Sequence, residues 1–244
     1  MRLEITKLLK MVLRETLKSF NLKLSFYDKS IPRYIKIIDS LGINVIFDIG
    51  ANSGQFALEV LQNGFRGKII SFEPTSKIYK ALQKNSKKFP NWYYHKRSAL
   101  GEKCGTVIIN IAGNSAASSS IYSMGKTCQK SAPEANYVSS ERVPLITLDS
   151  VFKNYTSEES KCLVKIDVQG YEEQVLTGAL ASIKKIDAVK IECSLVSLYD
   201  GDKTFEYYFE FFKKNGFELF DIQTGFSNPV TGQLLQFDAL FIRR

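Results

Sequence analysis

The chain is short of the residues that most often announce a metal or redox centre. It has one histidine, His95, and its four cysteines, Cys104, Cys128, Cys162 and Cys193, form no C-x-x-C pair. The spacings of a zinc site are therefore missing, and no metal ligand set is expected. Cys162 and Cys193 sit inside apolar, strand-like runs, where a reduced thiol behaves as a small hydrophobe. A reducing, cytoplasmic compartment is the economical expectation. No apolar run approaches the roughly 20 residues that cross a bilayer, and the first residues show neither the apolar core nor the cleavage site of a signal peptide. Internal repeats and interdomain linkers are not evident either.

What is there can fill a core. Over 244 residues, 44% are hydrophobic and 12% aromatic, which suits one domain of ordinary size with a short appendage. The net charge of +8 invites an anionic partner, but residues 1–40 carry nine Lys/Arg against four Asp/Glu. Basic residues in the body read as scattered, with one cluster around Lys84, Lys87 and Lys88, so nucleic-acid binding is not expected. Leu3, Ile5, Leu8, Leu9, Val12, Leu13 and Leu17 recur at helical spacing between Lys7, Lys10, Arg14 and Lys18, which makes an amphipathic basic helix. Packing on its own domain is the plain reading. Contact of residues 1–20 with a partner protein or an anionic membrane surface is the alternative, with the protein then peripheral to that membrane.

From Asn44 onward strands and helices alternate. The strands Asn44 to Ile49, Lys68 to Phe72, Trp92 to Lys96, Cys162 to Asp167 and Ala188 to Cys193 alternate with the helices Gln55 to Gln62, Ser76 to Lys88, Tyr171 to Ala181 and Lys203 to Asn215. This rhythm predicts an α/β fold with a mostly parallel sheet covered on both faces. Phe217 to Ile222 and Phe237 to Ile242 have no helix between them and should close it as an antiparallel pair. Thr106 to Ile111 and Arg142 to Leu148 also read as strands, whereas the Ser/Ala/Gly-rich stretch from Gly113 to Ser131 has no clean period and reads as a long loop or lid.

Ligands of such sheets bind beyond the carboxyl ends of the strands. Four acids fall there: Asp48, Glu73, Asp167 and Glu192. Any one of them could simply cap the following helix; four in register ask for more. Asp48 precedes Gly50-Ala51-Asn52-Ser53-Gly54, where glycines let a ligand lie against bare main chain. Asn52 and Gln55 break the G-x-G-x-x-G dinucleotide fingerprint, and the loop is closer to the D-x-G-x-x-x-G type that holds a sulfonium cofactor. Glu73, stopped by Pro74, is positioned to accept both hydroxyls of a ribose, which still admits a NAD enzyme. In the next such segment Lys165 lies in an apolar strand that ends at Asp167, with Gly170 and Glu172 opening the helix beyond. A buried lysine is costly unless paired, so Lys165 should meet a carboxylate.

FDIGANSGQF (Phe47 to Phe56), SFEP (Ser71 to Pro74), SALG (Ser98 to Gly101), LITLDS (Leu145 to Ser150), VKIDVQGYEEQVLTGA (Val164 to Ala179), IEC (Ile191 to Cys193) and DALFIRR (Asp238 to Arg244) together resemble the FkbM family of S-adenosylmethionine-dependent methyltransferases. The resemblance covers roughly residues 43–244 and leaves 1–42 as an N-terminal helical extension. It implies a class I methyltransferase (Rossmann-like) fold with a seven-stranded sheet whose last strand is antiparallel. It also implies methyl transfer to oxygen, often on a sugar hydroxyl of a glycan, glycolipid or secondary metabolite. By motif match, Asp48, Gly50, Ala51, Asn52, Gly54 and Gln55 would surround the methionine end of the cofactor, Glu73 and Pro74 its ribose, and Ser98 and Ala99 its adenine. A hydroxyl is a poor nucleophile, so a base within reach helps. Asp167 is the first candidate and Glu192 the second, with Lys165 tuning the acid beside it; His95 sits on the adenine side. A divalent cation on Asp167 and Glu192 is an option rather than the expectation.

Three other readings stand beside this one. A nucleic-acid methyltransferase commonly carries N/D-P-P-Y/F after its fourth strand, where this chain has Asp167-Val168-Gln169-Gly170-Tyr171. A NAD oxidoreductase is disfavoured by the broken glycine fingerprint. A non-catalytic docking module would have no need of four intact acids. Acceptor specificity should lie in the loops Gly113 to Arg142 and Leu195 to Lys203.

Overall fold

The computed structural model describes residues 31–244; the amphipathic stretch expected over residues 1–20 lies outside the described residues. Chain order begins with helix α1 (Arg33–Ser40), then β1 (Val45–Ile49), α2 (Gln55–Gln62), β2 (Lys68–Phe72), α3 (Ser76–Ser86) and β3 (Trp92–Tyr94). An inserted section follows: β4 (Ala99–Leu100), β5 (Gly105–Ala112), α4 (Lys126–Ser131), β6 (Tyr137–Ile146) and α5 (Leu148–Val151). The alternation then resumes with β7 (Cys162–Ile166), α6 (Glu172–Thr177), β8 (Ala188–Ser194), α7 (Phe205–Lys214), β9 (Phe217–Thr224) and β10 (Gln236–Arg243).

Seven strands form one sheet in the order β3-β2-β1-β7-β8-β10-β9. The pairs within β3 to β8 are parallel, and β10 runs antiparallel to both β8 and β9. This is the class I methyltransferase arrangement. Chain order reverses between β1 and β7, so a crevice opens there beyond the carboxyl ends of the strands.

Both faces are buried, which is why the strands read as continuous apolar runs. On one face Ile46, Ile69 and Leu163 pack under Tyr34, Ile35 and Ile38 of α1, Ala57 and Val60 of α2, and Leu82 of α3. On the other, Phe47, Phe72, Val164, Ile191 and Phe241 pack under α5, α6 and α7. Phe47 and Phe72 are fully buried, each contributing on the order of 1.5–3 kcal/mol of apolar burial.

The strands expected around Thr106 and Arg142 are present, as β5 and β6, and with β4 they form a separate three-stranded sheet, β4-β6-β5. Two expectations need correction. The stretch read as loop through Ser131 contains α4 and a small core of its own, with Met124, Cys128, Ala132 and Ala135 packed on Leu198, Tyr199 and Leu235. A helix of only six residues has too few apolar positions to show a period. The helix expected over Tyr171 to Ala181 is also shorter, because Gly178 follows α6 directly and glycine costs about 1 kcal/mol in a helix interior.

Candidate functional site

The loop after β1 is shaped by close contacts. Gly50 has φ +75°, and a Cβ there would lie 1.8 Å from the Asp167 carbonyl oxygen on β7's exit loop. The backbone N–H groups of Gly50 and Ala51 both donate to Phe72 O, at 3.1 and 2.9 Å. Gly54 at the start of α2 packs against the Trp92 ring, which a Cβ would meet at 2.3 Å. Between them Asn52 takes φ 48°, and its side chain accepts from Ser53 N at 2.6 Å and lies 3.4 Å from the exposed Gln55 amide.

Beneath this loop runs a row of buried polar residues. Ser71, Asp48, Lys165 and Lys190 are register partners across β2, β1, β7 and β8, so they share one sheet face. Lys165 Nζ donates to Gly50 O at 3.1 Å and stands 3.6 Å from Asp48 Oδ1 and 3.2 Å from Asp167 Oδ2. Burial alone would lower its pKa, but Asp167 and Asp48 outweigh that and hold it above the ordinary lysine value. Asp48 is wholly buried; its Oδ2 accepts from Ser71 Oγ at 3.0 Å, and its Oδ1 has no hydrogen-bond donor among the described residues. Burial pushes its carboxyl up, against the pull of Lys165. Asp48 thus lies under the loop, and Lys165 meets the carboxylates its burial called for.

Asp167 is different. Its side chain keeps 33% exposure at the mouth of the crevice. Burial would raise its pKa, but Lys165 and a hydrogen bond from Gln169 win, and the carboxyl lies below the ordinary aspartate value. The Gln169 amide nitrogen donates at 2.8 Å to Asp167 Oδ1 and at 2.6 Å to Glu192 Oε2, bridging the two acids. Glu192 Oε2 also accepts from Gln236 at 3.0 Å. Burial, with Asp167, Glu172 and Asp238 nearby, lifts its pKa well above the ordinary glutamate value. The two carboxyls are therefore pushed apart, Asp167 toward its ionised form and Glu192 toward its protonated one. Beside them Lys190 is ion-paired with Asp238, the register partner of Glu192.

Sequence reasoning missed Gln169, Asp238 and the part played by Glu172. Gln169 has φ 56°, its carbonyl accepts from Ser120 Oγ at 2.6 Å, and its side-chain oxygen accepts from Tyr199 OH at 2.7 Å. Its position between a strand-end acid and Gly170 was the available signal. Glu172 is buried, and its Oε1 accepts from Val168 N at 3.0 Å and Gly170 N at 3.2 Å, bracing the turn that carries Gln169.

At the other side of the crevice Glu73 is also buried. Its Oε1 accepts from Thr75 N and Oγ1, at 2.8 and 2.6 Å, and its Oε2 from Asn52 N at 3.0 Å. Burial raises its pKa, against these donors. Pro74 O accepts from Arg97 at 2.9 Å, while Ser98 and Ala99 are buried where β4 begins. His95 lies just past β3, the edge strand three places from β7; its Nδ1 is 2.8 Å from Tyr155 OH and its ring stacks on Phe72 at 5.1 Å. Burial lowers its pKa. Among the described residues, no group of three or more His, Cys, Asp or Glu is arranged to hold a metal ion.

The two loops expected to choose the acceptor meet over the ends of β7 and β8. Gly125 N donates to Leu198 O at 2.8 Å and Asp200 N to Ser123 O at 2.9 Å. Through Ser120 and Tyr199 both loops reach Gln169, so they are wired to the bridged acids.

A profile of the methyltransferase FkbM domain matches residues 48–219, which span the strand ends from Asp48 to Glu192. No curated protein matches the chain. Among solved structures, TrmK of M. capricolum in complex with S-adenosyl-homocysteine is 12% identical, with 91% of this chain and 69% of that one covered and a TM-score of 0.47. Aeropyrum pernix fibrillarin with natively bound S-adenosyl-L-methionine is 10% identical, covering 82% of this chain and 66% of that one at a TM-score of 0.46. TehB from Haemophilus influenzae is 8% identical, covering 90% and 64% at 0.49.

Proposed function

This chain belongs to the methyltransferase FkbM domain family, and on that premise we propose that it is an S-adenosylmethionine-dependent O-methyltransferase acting on a sugar hydroxyl of a glycan, glycolipid or secondary metabolite. The donors and acceptors present fit such a cofactor. Glu73 Oε2 receives a single N–H, from Asn52, and keeps acceptor capacity for a ribose hydroxyl. Asp48 Oδ1 receives no hydrogen bond among the described residues and lies 3.6 Å from Lys165 Nζ, which leaves it acceptor capacity for the ammonium group of the methionine end. S-adenosylmethionine, when bound, supplies a methyl group already activated by its sulfonium centre.

The chain's own residues then position the acceptor and move its proton. The observation that carries the reading is Asp167: held ionised by Lys165 at 3.2 Å, yet one-third exposed beside the glycine loop. It takes the hydroxyl proton as the C–O bond forms and the C–S bond breaks, leaving S-adenosylhomocysteine. Lys165 keeps it ionised at neutral pH. Glu192, pushed toward its protonated form by burial and the neighbouring acids, is placed to hydrogen-bond a neighbouring acceptor oxygen, and Gln169 holds the two acids at fixed separation.

The test is calorimetry with S-adenosylmethionine, S-adenosylhomocysteine and NAD, joined to a methyl-transfer screen over neutral glycans. Asp167→Asn should bind S-adenosylhomocysteine as the parent does and lose about 100-fold or more in kcat, whereas Glu73→Ala should lose cofactor binding. Full turnover by Asp167→Asn would sink the assignment of the base. Binding of NAD in place of either sulfur nucleoside would sink the whole reading.

A further inference from the structure

The positive charge of the body is not scattered. From Pro74 to Gly101 the chain carries six lysines and one arginine and no Asp or Glu; outside this stretch and residues 1–40 it has seventeen basic residues against twenty-one acidic. The stretch is α3 and β3, at one edge of the sheet. Lys77, Lys80, Lys84, Lys87, Lys88 and Lys96 are all exposed. At the helical turn per residue, the first five fall within an arc of about 100° and form a stripe about 16 Å long. None of the six is in a salt bridge among the described residues. Beside the stripe, Tyr94 of β3 stands 38% exposed and packs edge-on against Tyr79 of α3.

We propose that this lysine stripe, with Lys96 and Tyr94, is a docking surface for the anionic face of a phospholipid bilayer. Lysine ammonium groups act as point charges that need no fixed geometry, which suits a fluid layer of headgroups. Tyrosine is the side chain that settles at headgroup depth, apolar ring inward and hydroxyl in water. The one arginine, Arg97, is tied to Pro74 O and Glu141, so no guanidinium fork is offered to a phosphate. A nucleic acid is the less fitting partner, because its phosphates are held best by guanidinium forks, whereas a fluid headgroup layer needs only point charges.

Co-sedimentation of the full chain with phosphatidylcholine vesicles, and with mixed phosphatidylcholine and phosphatidylglycerol vesicles, tests this. The parent should bind the mixed vesicles at least tenfold more tightly. Lys80→Glu with Lys84→Glu and Lys87→Glu should lose at least tenfold, while the same charge change at Lys184, Lys213 and Lys214 should cost no more than about threefold. Tyr94→Ser should weaken binding severalfold at unchanged charge. Affinity for S-adenosylhomocysteine and the unfolding midpoint, unchanged in all variants, guard against misfolding as the cause. The proposal fails if the parent does not distinguish the vesicles, or if the two charge-reversal triples behave alike. It also fails if the α3 triple loses affinity for a mixed-sequence RNA while its vesicle binding is untouched.

Discussion

Glu172 shows how much one carboxyl can do from a position that looks ordinary in sequence. Its place in the first turn of α6 suggests an acid favoured by the helix dipole. The structure buries it, gives it two backbone N–H donors, and lets burial push its pKa from 4.5 to about 7. The folded chain therefore holds a proton that the unfolded chain releases between those values, and stability falls as pH rises through that window. The raised Glu192 adds a slope of the same sign. Glu172→Gln keeps the accepting oxygen and removes the titration, so it should erase on the order of 2 kcal/mol of that fall. Urea unfolding of parent and variant at either end of the window measures it; an identical fall in both would place the titration elsewhere. Lys165 is the opposite case. Its burial in an apolar strand already demanded a carboxylate, and it found two.

At the scale of elements, the glycine loop and the β7 exit turn are one unit. Gly50 can approach the Asp167 carbonyl only because it has no Cβ, and its φ of +75° is strained for any other residue. Gly50→Ala should push the two strand ends apart, weaken S-adenosylhomocysteine binding at least tenfold and lower kcat as well, since Asp167 rides on the displaced turn. Calorimetry and turnover check both; loss of one without the other would mean that the loops move independently. The sequence made β1, β2, β7 and β8 and their terminal acids legible, because buried parallel strands have unbroken apolar runs that stop abruptly. It left unread α4 and the pairing of β5 and β6 into a sheet of their own. Their packing depends on contacts far along the chain, such as Cys128 and Ala135 against Leu198 and Tyr199, and such pairings leave no local period. Gln169 was hidden for the same reason: its partners Ser120, Tyr199 and Glu192 come from three separate segments.

For the molecule as a whole, the cysteines report on closure. Cys104 is exposed, while Cys128, Cys162 and Cys193 are buried, and burial lifts the Cys162 thiol to about 12. A thiol reagent should meet one fast-reacting group in the native protein and three more only on unfolding. A second fast equivalent would reveal an opening of the α4 region or of the sheet. That sheet has an order of assembly written into it. β10 follows β9 in the chain yet lies between β8 and β9, antiparallel to both. During synthesis, β9 has no neighbour in the sheet and the Glu192 edge stays open until Gln236–Arg243 has left the ribosome, so the acceptor side of the crevice is finished by the latest made of this sheet's seven strands. A nascent chain released before that point would hold an unsealed sheet edge rather than a partly working enzyme, and would be a client for chaperones.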